Sequence, residues 1–272
     1  MKSSQAEAKI VVVGGIPTAR AGRRELANLM VADCAAARAG DLRTPRVLMS
    51  SNGSVIARYH RDPGFREIIR QADLIDADGQ PLVLASRLFT STPLSERVAT
   101  TDFIHDAAAA AASNGIRFYF LGARPGVAQT ASDRLRLLHP GLQIAGSRDG
   151  YFAKEQEGDV CQEIVSLRTD VLWVGLGSPV QENFVIRNRD KLGGLGWIKT
   201  CGGLFDHHSG SVRRAPKWMQ NAGLEWLYRT AKEPVRLAPR YLRTNGPALY
   251  YLATATSNAR DDGEAGWRNS AH

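Results

Sequence analysis

Six short apolar runs, residues 10–13, 47–49, 116–121, 142–145, 171–176 and 197–200, alternate along the chain with stretches of helical pattern. Each is too short for a buried helix and long enough for a strand covered on both faces. Glycines stand at or near their ends: Gly122, Gly150, Gly175, Gly177, Gly202 and Gly203. Strand, helix and strand joined by short glycine turns predict an α/β fold, a Rossmann-like, mainly parallel sheet with helices on both faces. In such sheets ligands bind beyond the carboxyl ends of the strands.

Residues 107–113 predict a helix, capped by Thr101 or Asp102 and stopped at Asn114-Gly115, and Pro125 reads as the first-turn proline of the next. From Pro216 the pattern turns helical, aromatic and basic, with Pro234 and Pro239 limiting continuous helix. Residues 1–215 therefore read as an α/β body, 216–256 as a basic helical appendage, and 257–272 as a flexible tail.

The 272 residues with 43% apolar content suffice for a real core. Cys34, Cys161 and Cys201 are too few and scattered for a disulfide framework, which fits a reducing cytoplasm. The first nine residues lack the apolar core of a signal peptide and no run approaches a membrane span, so contact with a membrane is expected from the side, at its inner face. The net charge is +8, and most of the asymmetry sits between Arg213 and Arg243, where eight basic residues face two acidic ones. Such a patch could meet nucleic acid, an anionic lipid surface or a diphosphate, and the interleaved Trp218, Trp226, Tyr228 and Tyr241 argue against a merely solvated face.

Between Val171 and Arg243 the chain places Gly175-Leu176-Gly177-Ser178-Pro179-Val180-Gln181-Glu182, Gly202-Gly203-Leu204-Phe205-Asp206, Arg213-Arg214-Ala215-Pro216, Leu224-Glu225-Trp226-Leu227-Tyr228-Arg229 and Glu233-Pro234-Val235-Arg236 in series. A core needs no such series, but an anionic ligand does: glycines admit phosphates, amides and carboxylates read a base or sugar, and guanidinium groups neutralise oxyanions. Gln181 opens a helix whose N-terminal amides and dipole favour phosphate, with Gly177 in the turn before it. Asp78, before Gly79, lies where a strand end or turn would present a carboxylate; the alternative is a turn residue capping the helix near Pro81. Asp76-Ala77-Asp78 also reads as Asp-x-Asp, a minority metal-binding reading. Asn52 before Gly53 could be an ordinary turn. His207-His208 lack a third ligand at a usual spacing, and His60, His105, His139 and His272 read as isolated. Arg229, Arg236, Arg240 and Arg243, spaced by seven, four and three, would share one helical face if the prolines permit.

These motifs, with Gly15-Ile16-Pro17, Asn52, Asp78-Gly79, Glu96-Arg97-Val98 and Gly150-Tyr151-Phe152, resemble the WecG/TagA/CpsF glycosyltransferase family over roughly residues 10–243. The resemblance implies Asp78 as general base, Ser50, Asn52 and Arg97 lining the site, Gln181 facing a nucleotide sugar, Asp206 on uracil or ribose unless it merely caps a helix, and Arg229, Arg236 and, less closely, Arg240 on a diphosphate. The chain departs from the family's pattern at Ser50 for threonine, at Thr100-Thr101-Asp102 for Gly-x-Asp, and at Val180 for lysine.

The resemblance further implies an inverting, metal-independent transfer of a hexose or N-acetylhexosamine-type sugar from a UDP-sugar to a polyprenyl-diphosphate-linked acceptor in cell-surface polysaccharide assembly. No nucleic-acid partner is expected, and oligomerisation stays open. A non-catalytic membrane or polyanion binding module is the first rival. A nicotinamide-dependent oxidoreductase is the second, but Val180 breaks Gly-x-Gly-x-x-Gly.

Overall fold

The computed structural model describes residues 9–212 and 214–259, and of Arg236 the backbone alone. The chain opens with a hairpin, β1 (Ile10–Val13) and β2 (Ile16–Ala19), then α1 (Arg23–Ala39), β3 (Arg46–Ser51), α2 (Gly53–Arg61), α3 (Pro63–Ile69), β4 (Leu74–Ala77), α4 (Gln80–Phe89) and α5 (Thr100–Asn114). It continues through β5 (Arg117–Gly122), α6 (Val127–Leu138), β6 (Gln143–Arg148), α7 (Glu157–Ser166), β7 (Val171–Gly175), α8 (Val180–Asn188), β8 (Trp197–Thr200) and α9 (Leu204–His208). The C-terminal segment holds α10 (Lys217–Asn221), α11 (Glu225–Lys232), α12 (Pro234–Thr254) and β9 (Ser257–Asn258).

Six strands form one parallel sheet in the order β4-β3-β8-β7-β5-β6, so the expected α/β class holds. Alternation along β5 shows why both faces must be covered. Phe118 and Phe120 pack with Phe103, Leu26, Trp173 and Trp197 on one side, while Tyr119 and Leu121 join Leu172, Val174, Ile198 and Ile164 on the other. This order makes the carboxyl ends of β4, β3 and β8 neighbours, and there a cavity opens.

Five local expectations change. The run at 10–13 lies outside the parallel sheet: Gly14 and Gly15, both at positive φ, make a two-residue turn that folds β1 antiparallel onto β2. Pro125 precedes α6 in the turn rather than opening it, with Gly126 at the cap. Neither Thr101 nor Asp102 caps α5, which starts at Thr100 after Ala99. The amide of Thr100 donates instead to Asp78 Oδ1 at 3.4 Å, an acceptor brought from the end of β4. Finally, α12 runs through Pro239 and Pro247. Each proline forfeits one intrahelical hydrogen bond, but Leu237, Thr244, Ala248 and Leu252 form one buried face on the body, and that packing outweighs the loss. The chain then returns as β9, pairing Ser257 and Asn258 with Val12 and Val11, so the expected tail is structured at its first two residues.

Candidate active site

Asp78 follows β4 immediately, where backbone hydrogen bonding still holds it to the sheet: its amide donates to the Ser51 carbonyl at 2.9 Å. Its carboxylate lies beside Thr100, whose amide and Oγ1 are each 3.4 Å from it. It does not cap α4, where Gly79 holds the cap position. Asp78 sits on a cavity of about 300 Å³ enclosed by the ends of β3 and β4, the start of α5, and α10 to α12. Burial, and next the neighbouring Asp76 carboxylate, push its pKa from 3.8 up to about 7, against the opposing pull of Lys199 and Arg97.

Asp76 is two residues back, within β4, and since Asp78 continues the strand's ladder through its amide the two lie on the same side of the chain. It is fully buried with Lys199 Nζ 2.7 Å away, so the Asp-x-Asp pair does not offer two carboxylates to a ligand. Lys199 also donates to Ser50 Oγ at 2.6 Å, and Ser50 in turn lies 3.1 Å from Thr100 Oγ1. Ser50 is thus part of the polar floor rather than of the cavity wall.

Asn52 lines the cavity and caps α2, its Oδ1 accepting from the amides of Ser54 and Val55 at 3.1 and 3.2 Å, so its side chain serves a helix start rather than an ordinary turn. Arg97 also lines it, held by Asp102 at 3.3 Å, Glu225 at 3.4 Å and Gln220 Oε1 at 3.2 Å. Arg214, from the Arg-Ala-Pro motif, ties Asp102 to Gln220 at 2.5 and 2.6 Å, while Gln220 Nε2 donates to the Ala215 carbonyl at 2.7 Å. That motif fastens the C-terminal segment to the body. Arg213 lies outside the described residues.

Arg229 on α11 and Arg240 on α12 both reach the cavity, so the two do not share one helix as their spacing suggested; Pro234 starts the second. Arg229 Nε is buried with no protein partner among the described residues, and Arg240 Nε donates to Ser54 Oγ at 3.2 Å. Arg236 lies on α12, its side chain outside the described set. His207, which the sequence raised only in a discounted metal pair with His208, lines the cavity. Its Nδ1 stands 3.3 Å from the Val212 carbonyl, which can only accept, and burial with Arg229 nearby lowers its pKa, leaving a neutral ring whose Nε2 is an acceptor.

Two of the strand-end glycines are required by packing within the fold. A Cβ on Gly122 would meet the Gly175 carbonyl oxygen at 2.3 Å, and one on Gly175 would meet the Gly202 oxygen at 2.9 Å and Phe205 at 2.8 Å. The glycines let the loops after β5, β7 and β8 touch each other. Gln181 joins the same contact, accepting from the Gly202 amide at 3.0 Å and donating to Glu182 at 2.9 Å. Gln181, Gly177 and Asp206 lie outside the wall of the cavity, and Asp206 stands within α9 rather than at its cap.

The histidines are not isolated. His60 stacks on Tyr251 with centroids 3.5 Å apart, and His105 Nδ1 lies 2.9 Å from His139 Nε2 with His208 beside them. His272 is outside the described residues. Among the described residues no three His, Cys, Asp or Glu side chains converge as a metal site.

A profile of the Glycosyl transferase WecG/TagA/CpsF family matches residues 6–262. The chain belongs to the WecG/TagA/CpsF glycosyltransferase family. It is similar to the N-acetylglucosaminyldiphosphoundecaprenol N-acetyl-beta-D-mannosaminyltransferase of Bacillus spizizenii, 32% identical over 189 residues, which cover 70% of this chain and 72% of the relative. In this glycosyltransferase the residues that sequence reasoning missed, Lys199, Glu225, Gln220 and Asn245, come from β8 and the C-terminal helices. Glu225 stood inside a quoted motif without a role. Lys199 gave no signal, because a lysine within an apolar run announces a partner without saying where it lies.

Proposed function

We propose that this glycosyltransferase moves a hexose or N-acetylhexosamine-type sugar, with inversion, from a UDP-sugar to a polyprenyl-diphosphate-linked acceptor during cell-surface polysaccharide assembly. The observation that carries the reading is Asp78, a carboxylate raised to about 7 on a cavity whose far wall carries Arg229 and Arg240. The acceptor hydroxyl attacks the anomeric carbon and passes its proton to Asp78. The bond from that carbon to the donor diphosphate breaks, and arginine neutralises the departing charge. A base titrating near neutrality is both available and strong enough for this step. The relative's name supplies the acceptor class, a sugar on diphosphoundecaprenol.

Metal independence belongs to the same proposal, supported by Asp76 being engaged by Lys199 and by Arg229 and Arg240 lining the cavity, where they could do a cation's electrostatic work. The C-terminal segment would be the acceptor side. No helix among the described residues is long and apolar enough to cross a membrane. On α12, however, Val235, Leu242 and Leu249 recur every seven residues and are 91%, 83% and 64% exposed, a stripe suited to the apolar edge of an anionic membrane surface. We place the enzyme there, on the cytoplasmic side.

The test is nucleotide release from a panel of UDP-, GDP- and TDP-sugars that includes UDP-N-acetylmannosamine, with undecaprenyl-diphosphoryl N-acetylglucosamine as acceptor, with and without EDTA. Acceptor-dependent release of UDP that survives EDTA is expected. Release abolished by EDTA overturns metal independence, and no release from any donor overturns the reaction.

A further inference from the structure

Beside Asp78 a chain of polar side chains runs across the sheet. Lys199 on β8 reaches across β3 to Asp76 on β4, and both side chains have no solvent exposure. In the register, Ser50 stands directly beside Asp76, and Lys199 Nζ contacts both, at 2.6 Å to Ser50 Oγ and 2.7 Å to Asp76 Oδ2. Ser50 continues to Thr100 Oγ1 at 3.1 Å, and Thr100 to Asp78 at 3.4 Å. The chain ends at the proposed base.

A buried ion pair fills this volume poorly if filling is its only purpose. Two desolvated charges repay their burial only in part, and apolar side chains of similar size commonly serve stability as well or better. What the pair does is electrostatic. Asp76 shares the strand face of Asp78, so alone it would repel a second charge there. Lys199 alone would hold Asp78 as a tight ion pair and weaken it as a base. Together they present no net charge.

We infer that Asp76 and Lys199 are positioning residues that act through Asp78: Asp76 takes up the charge of Lys199, so that Asp78 keeps its proton affinity and stays a free base. The inference rests on the reading of Asp78 as general base. The other charged groups facing Asp78 are already engaged: Arg97 lies between Asp102 and Glu225, and Arg214 on Asp102. Burial and Asp76 raise Asp78 while Lys199 and Arg97 lower it, in keeping with this balance.

The experiment follows the carboxyl carbon of Asp78 by NMR across pH in the full chain labelled at aspartate, its signal identified by its loss in Asp78→Asn. In Asp76→Asn the carboxylate that raises Asp78 is gone and Lys199 faces Asp78 alone, so the midpoint falls by about one pH unit or more. In Asp76→Asn/Lys199→Gln the midpoint returns to within about half a unit of wild type. The double variant buries no charge and tests the idea even if the single one does not fold. The acid limb of turnover with the donor and acceptor named above moves in parallel. Midpoints unmoved in Asp76→Asn, or a double variant displaced by more than about a unit, overturn the inference. Full turnover by Asp78→Asn would instead remove the base on which it rests, while the NMR midpoints are read without any reaction.

Discussion

The Arg97 guanidinium reaches the Glu225 carboxylate at 3.4 Å, joining the segment before α5 to the first turn of α11 across the cavity. In this arrangement a cation that would meet a diphosphate is occupied by the protein's own carboxylates, Glu225 and Asp102. An incoming anion must displace one of them. Glu225→Gln should therefore tighten UDP binding several-fold in calorimetry, and Arg97→Ala should weaken it by about tenfold or more. Equal affinities in wild type and Glu225→Gln would show that the pair does not compete with ligand.

Asp78 gives a pH dependence in both rate and stability. Its folded pKa of about 7 exceeds the usual 3.8, so the folded state holds the proton more tightly than the unfolded chain does. That stabilisation is complete below about pH 4 and is lost as pH rises through 7. Asp78→Asn, which cannot ionise, should melt ~3 °C or more above wild type at pH 8, with the gap narrowing at pH 5. Turnover by wild type should fall about tenfold per unit below pH 7, and Asp78→Asn should lose nearly all of it. A variant that melts below wild type at pH 8 would contradict the sign.

These pieces were unequally legible in the sequence. The strands 47–49, 116–121 and 171–176 were readable because a strand buried on both faces is apolar at every position. Leu74–Ala77 stayed open between strand and turn because Asp76 breaks that pattern, and its partner lies more than 120 residues away. Pro17 hid β2, since proline in a strand signals an edge, which is what β2 is. In the site, residue types foretold Asp78, Arg97 and Arg229 at the cavity. They could not tell which glycines serve packing, because a tight approach between backbone segments, as at Gly122 and Gly175, and a tight approach to phosphate call for the same residue.

The exposed stripe on α12 predicts a measurable membrane contact. Leu242 and Leu249 each stand to bury an apolar side chain in a bilayer edge, about 1.5 to 3 kcal/mol apiece. Leu242→Asp/Leu249→Asp should reduce co-sedimentation with anionic vesicles by tenfold or more on the order of that burial. Melting should move by less than ~2 °C, because exposed positions carry little stability. Undiminished vesicle binding would assign the contact to the basic residues alone.

The contact between the ends of β5 and β7 gives the sharpest structural test. Gly122 has φ +136°, which side chains rarely adopt, and the Cβ of an alanine there would press on the Gly175 carbonyl 2.3 Å away. Neither atom can yield without moving β7 against β5, which are paired in register at these two residues. Gly40, at φ +82°, serves as the control, because a Cβ added there would meet nothing within 4 Å. Gly40→Ala should cost about 1 kcal/mol for the left-handed backbone alone. Gly122→Ala should cost about 3 kcal/mol or more, adding overpacking to strain. Urea midpoints measure both, and equal losses would mean that the glycines of these loops serve backbone conformation and not the approach of one loop to the next.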